Sequence, residues 1–579
     1  MSLPPPAPAA TRSPSFARPA AVVLLAGAAH ALSLAWPFPS GLAQGEPVWW
    51  LQLLAFFALA WQLDNSASVK RGAWLGWLFG TAMQCATWWW LFISLHVYGG
   101  LASPLAVIAI VGLAGFLALY HAAAGALFVA FAPVNRAGRA LLLASLWLLA
   151  ELARVQFFTG FPWGEGGYSQ LDGPFADLAK LVGVHGLTFG ATLLCGLVAV
   201  FMKPRSFAAD STGVKWLPLA GVLAGALAFA GLSQVLKIKD DGASLFTVAH
   251  DGAATSTSTS TSTPAAQRQP FTVTLLQGNI PQDEKFQSGS GIPDALAWYG
   301  VQLRDARGSL VVAPETAIPV LPSQLPSDYL DGLINRFVRP EGIGPQTAAL
   351  VGIPLGGYET GYTNSAIGLK PPLSLAVPDP ANPASTPSIY RYDKHHLVPF
   401  GEFVHPLFKW FLALVNMPLS DFNRGGLGQP TFDWQGQRLA PNICYEDLFG
   451  EELAAGFRDP ARAPTILVNL SNIGWFGDSI AIDQHLNISR MRALEFERPM
   501  LRATNTGATA IIDHRGTVAS LLPRHTRGAL TGEVEGRDGI TPYAWWVSRW
   551  GLWPFWALGL LVLAGAAGAR HRKPDAAGG

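Results

Sequence analysis

Three residues of complementary chemistry follow short apolar runs in the second half of the chain. They are Glu315, Lys394 and Cys444. Cys444 lies in residues 441–447 (PNICYED), whereas Cys85 and Cys195 lie inside long apolar segments. With no partner in its own region, Cys444 is either a packing residue or a nucleophile that is activated by a base and a cation. A lone cysteine usually packs as a small apolar group, and we assign that role to Cys85 and Cys195.

The segments around these residues indicate a membrane protein. Half of the residues are hydrophobic and 13% are charged, whereas about 25% are charged in ordinary soluble domains. Eight apolar segments are too long for the helices of a globular protein. They are residues 19–36, 48–62, 73–97, 103–132, 139–156, 175–202, 217–236 and 545–568. The sequence therefore predicts about eight transmembrane helices, seven before a large polar insert and one after it.

Lysine and arginine residues occur at alternate ends of the predicted spans. They are Arg12, Arg18, Lys70, Arg71, Arg136, Arg139, Lys203, Arg205, Lys215, Arg570, Arg572 and Lys573. The loops between them have no Lys or Arg, apart from Arg154 near the end of the fifth span. Because these cations favour the cytoplasmic side of a membrane, we expect both termini in the cytoplasm and the insert on the opposite side of the membrane.

The chain divides into six predicted segments. They are a disordered cytoplasmic tail (1–18), a membrane domain of seven helices (19–236), a linker with a Thr/Ser tract (237–270), a catalytic domain (271–540), a final transmembrane helix (541–568) and a second cytoplasmic tail (569–579). The first apolar segment is alternatively a cleaved signal peptide. However, no clear cleavage site follows it, and its loss would break the alternation of the cations.

The insert has the pattern of a layered α/β domain. Short β-rich runs alternate with helical patterns between Gly-, Pro- and Asn-rich turns. The predicted strands are residues 272–277, 309–313, 348–353, 440–444, 465–470 and 508–512, and the predicted helices are 293–306, 326–338 and 483–496. Because sites in α/β sheets are built at the ends of strands, we expect Glu315, Lys394 and Cys444 to meet there.

These residues and their surroundings resemble a known family. Glu315, Lys394 and Cys444 are similar in type and order to the Glu-Lys-Cys triad of the nitrilase superfamily, whose fold is an α-β-β-α sandwich. Four sequence motifs make the resemblance more specific within that superfamily. They are 276–282 (LQGNIPQ), 392–404 (YDKHHLVPFGEFV), 443–446 (ICYE) and 471–478 (SNIGWFGD). Together with 94–100 (SLHVYGG) and 159–163 (TGFPW) in the membrane region, they resemble the bacterial apolipoprotein N-acyltransferase family.

The resemblance implies a location, an activity and a role for each residue. The implied location is the bacterial inner membrane, with the insert on its periplasmic side. The family transfers an acyl chain from a phospholipid, through a cysteine thioester, to the α-amine of a diacylglyceryl-cysteine in a lipoprotein. On this basis Cys444 is the nucleophile and Glu315 the general base and acid. Lys394 stabilises the oxyanion, with a backbone N–H near Tyr445, and its charge is expected to lower the pKa of the thiol.

Five further positions receive supporting roles from the same resemblance. Glu402, Tyr445 and Glu446 are expected to orient the site. Trp475 is interpreted as part of a wall or lid against the acyl chain, although a core aromatic residue is an equal alternative. Phe286 stands where the resemblance predicts a tryptophan, which leaves an aromatic surface without an indole N–H.

No cofactor or metal is expected. His395 and His396 have no further ligands at zinc-like spacing, and no nucleotide or nucleic-acid motif is present. The expected partners are a phospholipid donor, a diacylated apolipoprotein and the membrane, with the protein acting as a monomer. An apolar arm at 403–417 is expected to contact the bilayer through Phe408, Phe411 and Leu412.

Two other functions remain open. One is a membrane-anchored nitrilase-type amidase, in which water resolves the thioester. The other is a transporter whose insert binds a ligand, but the predicted spans contain few ionisable residues, Glu151 being the clearest, whereas transport pathways usually need several. Free fatty acid as the product would favour the amidase, and the absence of turnover would favour the transporter.

Overall fold

The computed structural model describes residues 16–39, 41–202, 216–239, 271–338, 346–371, 389–404 and 422–571. The predicted Thr/Ser tract, most of both predicted tails, and Phe408, Phe411 and Leu412 of the predicted arm lie outside these ranges. The described residues form a helical region, a domain with two β-sheets, and a closing pair of helices.

Helices occupy all eight of the predicted apolar segments. They are α1 (Ala17–Leu34), α2 (Trp49–Asp64), α3 (Val69–Trp88), α4 (Ser103–Leu117), α5 (Leu119–Phe131), α6 (Arg136–Gln156), α7 (Ala179–Met202), α8 (Trp216–Lys239), α13 (Pro542–Trp550) and α14 (Trp553–His571). Among the described residues, five stretches are long and apolar enough to cross a membrane: Ala17–Leu34, Ser103–Phe131, Arg136–Thr159, Ala176–Met202 and Trp553–Arg570. Helix α2 has 16 residues, or about 24 Å at 1.5 Å per residue, which is less than the roughly 30 Å of a bilayer core.

Four predicted spans are not single continuous helices. The fourth is divided into α4 and α5 at Ala118, and the sixth has a kink inside α7 at Gly183, whose φ is +64°. The third ends at Trp88, and a π-helix, Ile93–Tyr98, follows it. The last is divided at Gly551, which has φ +54° and stands between α13 and α14. Positive φ is compatible with glycine but not with a continuous right-handed helix, so α13 lies outside the span and α14 forms it.

The tryptophan cluster Trp88-Trp89-Trp90 is typical of an aromatic belt at the membrane interface, and the sequence predicts that role for it. Trp88 and Trp90 are fully buried, and Trp89 alone is exposed. The indole of Trp88 donates to the carbonyl of Trp163 (2.9 Å) and that of Trp90 to the side-chain oxygen of Gln484 (3.1 Å). The interface prediction is therefore wrong for these two residues, because they pack where the helical region meets the sheet domain.

The insert contains two six-stranded sheets. The first has the order β12-β1-β2-β3-β4-β5 and the second β11-β10-β9-β8-β7-β6. The strands are β1 (Phe271–Gln277), β2 (Leu310–Ala313), β3 (Ala348–Gly357), β4 (Gly361–Leu369), β5 (Tyr390–Asp393), β6 (Phe432–Trp434), β7 (Gln437–Ile443), β8 (Ile466–Ser471), β9 (Met500–Thr504), β10 (Ala510–Ile512), β11 (Val518–Leu521) and β12 (Gly528–Val534). The six predicted strands correspond to β1, β2, β3, β7, β8 and β10.

The sheets and helices stack in four layers, as the fold-class prediction requires. Buried side chains of both sheets, such as Val273 and Val468, share one core between the sheets. The outer face of the first sheet packs against α9 (Gly291–Asp305) and α10 (Ser327–Phe337). The outer face of the second sheet packs against α12 (Ala481–Phe496), which follows a short helix α11 (Gly450–Leu453). This arrangement is an α-β-β-α sandwich.

Helix α12 also joins the sandwich to the helical region. The Asn487 side chain donates to the carbonyls of Leu34 (3.2 Å) and Gly45 (2.9 Å). The backbone N–H of Val184 donates to the buried carboxylate of Glu495 (2.6 Å). One face of α12 thus covers the second sheet and the rest contacts the helices, which explains why nearly all of its residues are buried.

Candidate active site

The two sheets bring Glu315, Lys394 and Cys444 together. Glu315 follows β2 and is separated from it by Pro314, whereas Lys394 directly follows β5. Both strands belong to the first sheet. Cys444 follows β7 in the second sheet. Because the sheets lie face to face, the strand ends place a carboxylate, an ammonium group and a thiol around one point. These are the residues that the sequence predicted.

An ammonium group lies between two carboxylates. Lys394 is fully buried, and its Nζ lies 3.2 Å from Glu315 Oε1 and 2.9 Å from Glu402 Oε2. The Asn364 side-chain amide donates to both carboxylates, at 2.7 Å to Glu315 and 2.6 Å to Glu402. Burial alone would lower the pKa of Lys394, but the two carboxylates raise it above its usual range. The lysine is therefore charged, and Glu402 holds it in place.

The Glu315 carboxylate is ionised in this environment. Burial acts to raise its pKa, but the charges of Lys394 and Lys285 and the hydrogen bond from Asn364 outweigh that effect, so the pKa lies below its ordinary value. The other carboxylate oxygen, Oε2, accepts a 2.9 Å hydrogen bond from the backbone N–H of Asn472. An ionised carboxylate with fixed partners is suited to accept a proton.

Cys444 lies on a strained turn at the end of β7. Its φ is +53°, an unusual value for a residue with a Cβ, and such conformations are concentrated at functional sites. Burial raises the pKa of the thiol to about 12, and the Glu315 charge acts in the same direction. Lys394 and hydrogen bonds from Ser471 and the Asn472 backbone oppose the shift without reversing it. The charge of Lys394 therefore acts to lower this pKa, as expected, but burial and the Glu315 charge outweigh it.

Glu446 holds the backbone around the thiol. Its carboxylate accepts hydrogen bonds from the N–H groups of Ile443 (2.6 Å) and His395 (2.6 Å) and from the Tyr392 hydroxyl (2.9 Å). Burial raises the pKa of Glu446 to about 7, although the two backbone hydrogen bonds and the Lys394 charge act against it. One carboxylate thus links the loop after β7 to the loop after β5.

Tyr445 connects the nucleophile to the helical region. It is buried, and its hydroxyl donates to the carbonyl of Gly160 (3.2 Å). Its ring stacks on Phe161, with centroids 6.4 Å apart. Residues 157–163 therefore contact the loop that carries Cys444.

Trp475 and Phe286 occupy different positions at the edge of the site. The Ser94 hydroxyl donates to the Trp475 carbonyl (2.6 Å), and the Tyr98 ring meets the Trp475 indole edge-on, at 5.7 Å between centroids. Trp475 therefore packs against the π-helix of the helical region. Phe286 is half exposed, and Lys285 Nζ lies 5.9 Å from the centre of its ring.

Sequence reasoning missed several buried polar residues that support the site. Asn364 stands inside β4, where a polar residue near an apolar run was the available signal. Lys285 lies in the loop after β1, in the polar segment 281–289 (PQDEKFQSG), which gives no signal in sequence. His485, on α12, lies behind the nucleophile, where its Nε2 is 3.3 Å from the Cys444 carbonyl and 2.9 Å from Asp447 Oδ1. Arg502 contacts the other ring nitrogen of His485.

His395 and His396 have structural partners. His395 Nδ1 lies 2.7 Å from the Gly425 carbonyl. His396 Nδ1 lies 2.9 Å from Glu452, and its Nε2 lies 2.9 Å from the carbonyl of Thr159. Both rings are thus positioned by hydrogen bonds within the protein, and His396 forms a second link between the loop after β5 and residues 157–163.

Comparisons with known proteins agree with this architecture. The family model described as "Apolipoprotein N-acyltransferase N-terminal domain" matches residues 26–197, and that described as "Carbon-nitrogen hydrolase" matches residues 302–539. An apolipoprotein N-acyltransferase of Verminephrobacter eiseniae is 55% identical to the chain, covering 93% of the chain and 94% of that protein. One from Ralstonia nicotianae is 41% identical, covering 97% of the chain and 95% of that protein.

Among solved structures, a nitrilase-superfamily amidase from Nesterenkonia is similar with a TM-score of 0.32 and 16% identity, covering 51% of the chain and 98% of the amidase. The two curated relatives are aligned over almost their whole lengths and are well above the identity at which family membership is secure. The chain therefore belongs to the apolipoprotein N-acyltransferase family, and it is an enzyme built from a membrane-embedded helical region and a carbon-nitrogen hydrolase domain.

Proposed function

We propose that the chain transfers a fatty acyl group from a membrane phospholipid to the α-amine of the N-terminal diacylglyceryl-cysteine of apolipoproteins, through a thioester on Cys444. The observation that carries this proposal is the meeting of an ionised Glu315, a charged Lys394 and the thiol of Cys444 at the ends of three strands. The names of the curated relatives support the acceptor, and the membrane-embedded region supports a lipid donor.

In the first half of the reaction, Glu315 accepts the thiol proton while the sulfur attacks the ester carbonyl of the phospholipid. Lys394 and a backbone N–H near Tyr445 stabilise the tetrahedral oxyanion. The carbon–oxygen bond then breaks, and Glu315 returns the proton to the departing lysophospholipid hydroxyl. The raised pKa of the Cys444 thiol supports proton transfer during attack rather than a preformed thiolate.

In the second half, the α-amine of the acceptor attacks the thioester carbonyl. Glu315 takes a proton from the attacking nitrogen, and the carbon–sulfur bond breaks to give the amide. The proton then passes from Glu315 to the sulfur, which restores the thiol. Because the lysophospholipid leaves before the amine reacts, the cycle is ping-pong. It needs no cofactor, and one copy of the chain carries all three groups.

We also propose that the hydrolase domain is periplasmic and that both termini are cytoplasmic. Arg139, at the start of α6, lies 2.5 Å from Asp64, at the end of α2, so these ends lie on one side of the helical region. The opposite ends, at Leu34, Trp90 and Phe161, contact the hydrolase domain. The cation-rich ends therefore lie away from that domain, as the positive-inside rule requires for a periplasmic site.

The decisive experiment is to trap the intermediate. Purified protein incubated with phospholipid alone is expected to carry a hydroxylamine-labile acyl group on Cys444, detected by mass spectrometry of the peptide that contains it. Addition of a diacylated peptide should then remove the group as an amide product. Unmodified wild-type protein would contradict the covalent mechanism, and release of free fatty acid in place of the amide would identify an amidase.

A further inference from the structure

Lys285 is a buried cation of the site that the reaction scheme does not use. It lies in the loop between β1 and α9 and is 1% exposed. Its Nζ donates a 3.1 Å hydrogen bond to the backbone carbonyl of Glu315. A buried ammonium group is strongly unfavourable unless opposite charges compensate it, so its position next to the proposed base requires an explanation.

The charges around the thiol provide that explanation. Lys394 is shared between the carboxylates of Glu315 and Glu402, at 3.2 and 2.9 Å. Without Lys285, two negative charges would face one positive charge. Behind Cys444, Arg502 and Asp447 pair with each other at 3.5 Å and leave this balance unchanged. With Lys285, these four side chains carry two positive and two negative charges. Glu446 accepts a hydrogen bond from the backbone N–H of His395, next to Lys394, and burial raises its pKa to about 7. It is a further titrating group that is common to every variant compared below.

The balance persists when the thiol is deprotonated. Transfer of the proton from sulfur to Glu315 moves one negative charge from the carboxylate to the sulfur and then to the oxyanion. Lys285 interacts electrostatically with both Glu315 and Cys444, so it faces a negative group before and after the transfer.

We propose that Lys285 is a positioning residue of the acyl transfer: it fixes the main chain of Glu315 and supplies the second positive charge that keeps this carboxylate ionised. This inference rests on the proposed function and extends it. Burial lowers the pKa of Lys285 to about 8, although Glu315 and Cys444 act to raise it. The ammonium charge is therefore present at neutral pH and is lost as the pH rises through about 8.

The test is the pH dependence of Cys444 acylation by phospholipid, measured by single-turnover mass spectrometry from about pH 4 to pH 10. In wild-type protein, acylation should decline at low pH as Glu315 is protonated. It should decline again near pH 8, to the lower plateau of Lys285→Met, because a neutral Lys285 no longer stabilises the negative charge that moves to the sulfur and the oxyanion. In Lys285→Met the low-pH decline should move upward by about 1–3 pH units, the usual effect of a neighbouring charge, and the decline near pH 8 should disappear.

Two further variants complete the test. Lys285→Arg keeps the charge at all these pH values, so it should retain the wild-type behaviour at low pH and show no decline near pH 8. Lys370→Met is the matched control, because the Lys370 ammonium also donates to a backbone carbonyl, that of Asp433, outside the site. It should reproduce the wild-type profile.

The outcomes separate the two proposals. Wild-type acylation with an unchanged profile in Lys285→Met would overturn the role of Lys285 and leave the proposed function intact. If Lys285→Met does not fold, a decline near pH 8 in Lys285→Arg would overturn the role instead. Wild-type protein that is never acylated would overturn both.

Discussion

The hydroxyl of Tyr445, the residue after the proposed nucleophile, donates a 3.2 Å hydrogen bond to the carbonyl of Gly160 in the helical region. Gly160 has φ +81°, and a Cβ at this position would overlap the carbonyl of Val155 and crowd the ring of Phe449. The membrane-embedded region therefore takes part in shaping the loop that carries Cys444, beyond holding the hydrolase domain at the bilayer.

We predict that Gly160→Ala slows Cys444 acylation by at least about 10-fold, because a displacement of the reacting atoms by about 1 Å is enough for a large loss of rate. The measurement is single-turnover acylation by phospholipid in detergent. Gly190→Ala is the control, since Gly190 lies in α7 and a Cβ there would meet no atom within 4 Å. Equal rates for the two variants would show that residues 157–163 do not influence the nucleophile.

Substitutions of the three central residues should separate their roles. Cys444→Ala and Cys444→Ser should abolish acylation, because a serine hydroxyl is a much weaker acid than a thiol. Glu315→Gln and Lys394→Met should each reduce it by about 10²–10⁴-fold. Cys85→Ala and Cys195→Ala should retain near-wild-type rates in the same mass-spectrometric assay, and loss of activity in either, at normal expression, would mean that Cys444 is not the sole functional thiol.

Acylation should be sensitive to a negative charge at position 364, introduced without a change in side-chain size. Its amide donates to both Glu315 and Glu402, so Asn364→Asp would replace a donor with a third carboxylate. We expect acylation at pH 7 to fall by about 10²-fold or more, because like charges at this distance cannot all ionise and Glu315 would be protonated. Asn423→Asp, at an exposed position, is the control. Normal acylation by Asn364→Asp would contradict the bridging role.

The raised pKa of the Cys444 thiol predicts slow alkylation. Only the thiolate reacts with iodoacetamide, and the thiol pKa is about 12 as a result of burial and the Glu315 charge. The thiolate fraction is therefore small at pH 7, and the alkylation rate of Cys444 should continue to increase up to at least about pH 10. A rate that reaches its maximum by pH 8, as for an activated thiolate, would contradict this assignment.

The proposed orientation can be tested with two exposed positions. Tyr358, at the tip of the β3–β4 hairpin, is 95% exposed, and Val134, between α5 and α6, is 81% exposed. In a Cys444→Ala background, Tyr358→Cys should react with a membrane-impermeant maleimide in intact spheroplasts. Val134→Cys should react only after the inner membrane is permeabilised. The reverse pattern would overturn the orientation.

The sequence alone predicted much of the fold and the central residues of the site. Apolar segments appear in sequence because a bilayer requires long runs of apolar residues. The β-rich runs that lead to Glu315 and Cys444 appear because each strand and its loop are local, and Lys394 was identified through the motif around it. Six strands were missed: β4, β5, β6, β9, β11 and β12. β5, β6 and β11 have only three or four residues, and β9 contains the buried Arg502. β4 and β12 are longer, but glycine and polar residues interrupt their apolar pattern.

Only the tertiary structure decided how these residues act on one another. The ionised state of Glu315, the raised pKa of Cys444, the position of Lys285 and the contact between Tyr445 and Gly160 all depend on groups that are distant in sequence. Gly160 and Tyr445 are 285 positions apart. A residue type indicates which chemistry is available, but burial and the distances between charges determine which protonation states exist, and these are properties of packing between sheets and helices.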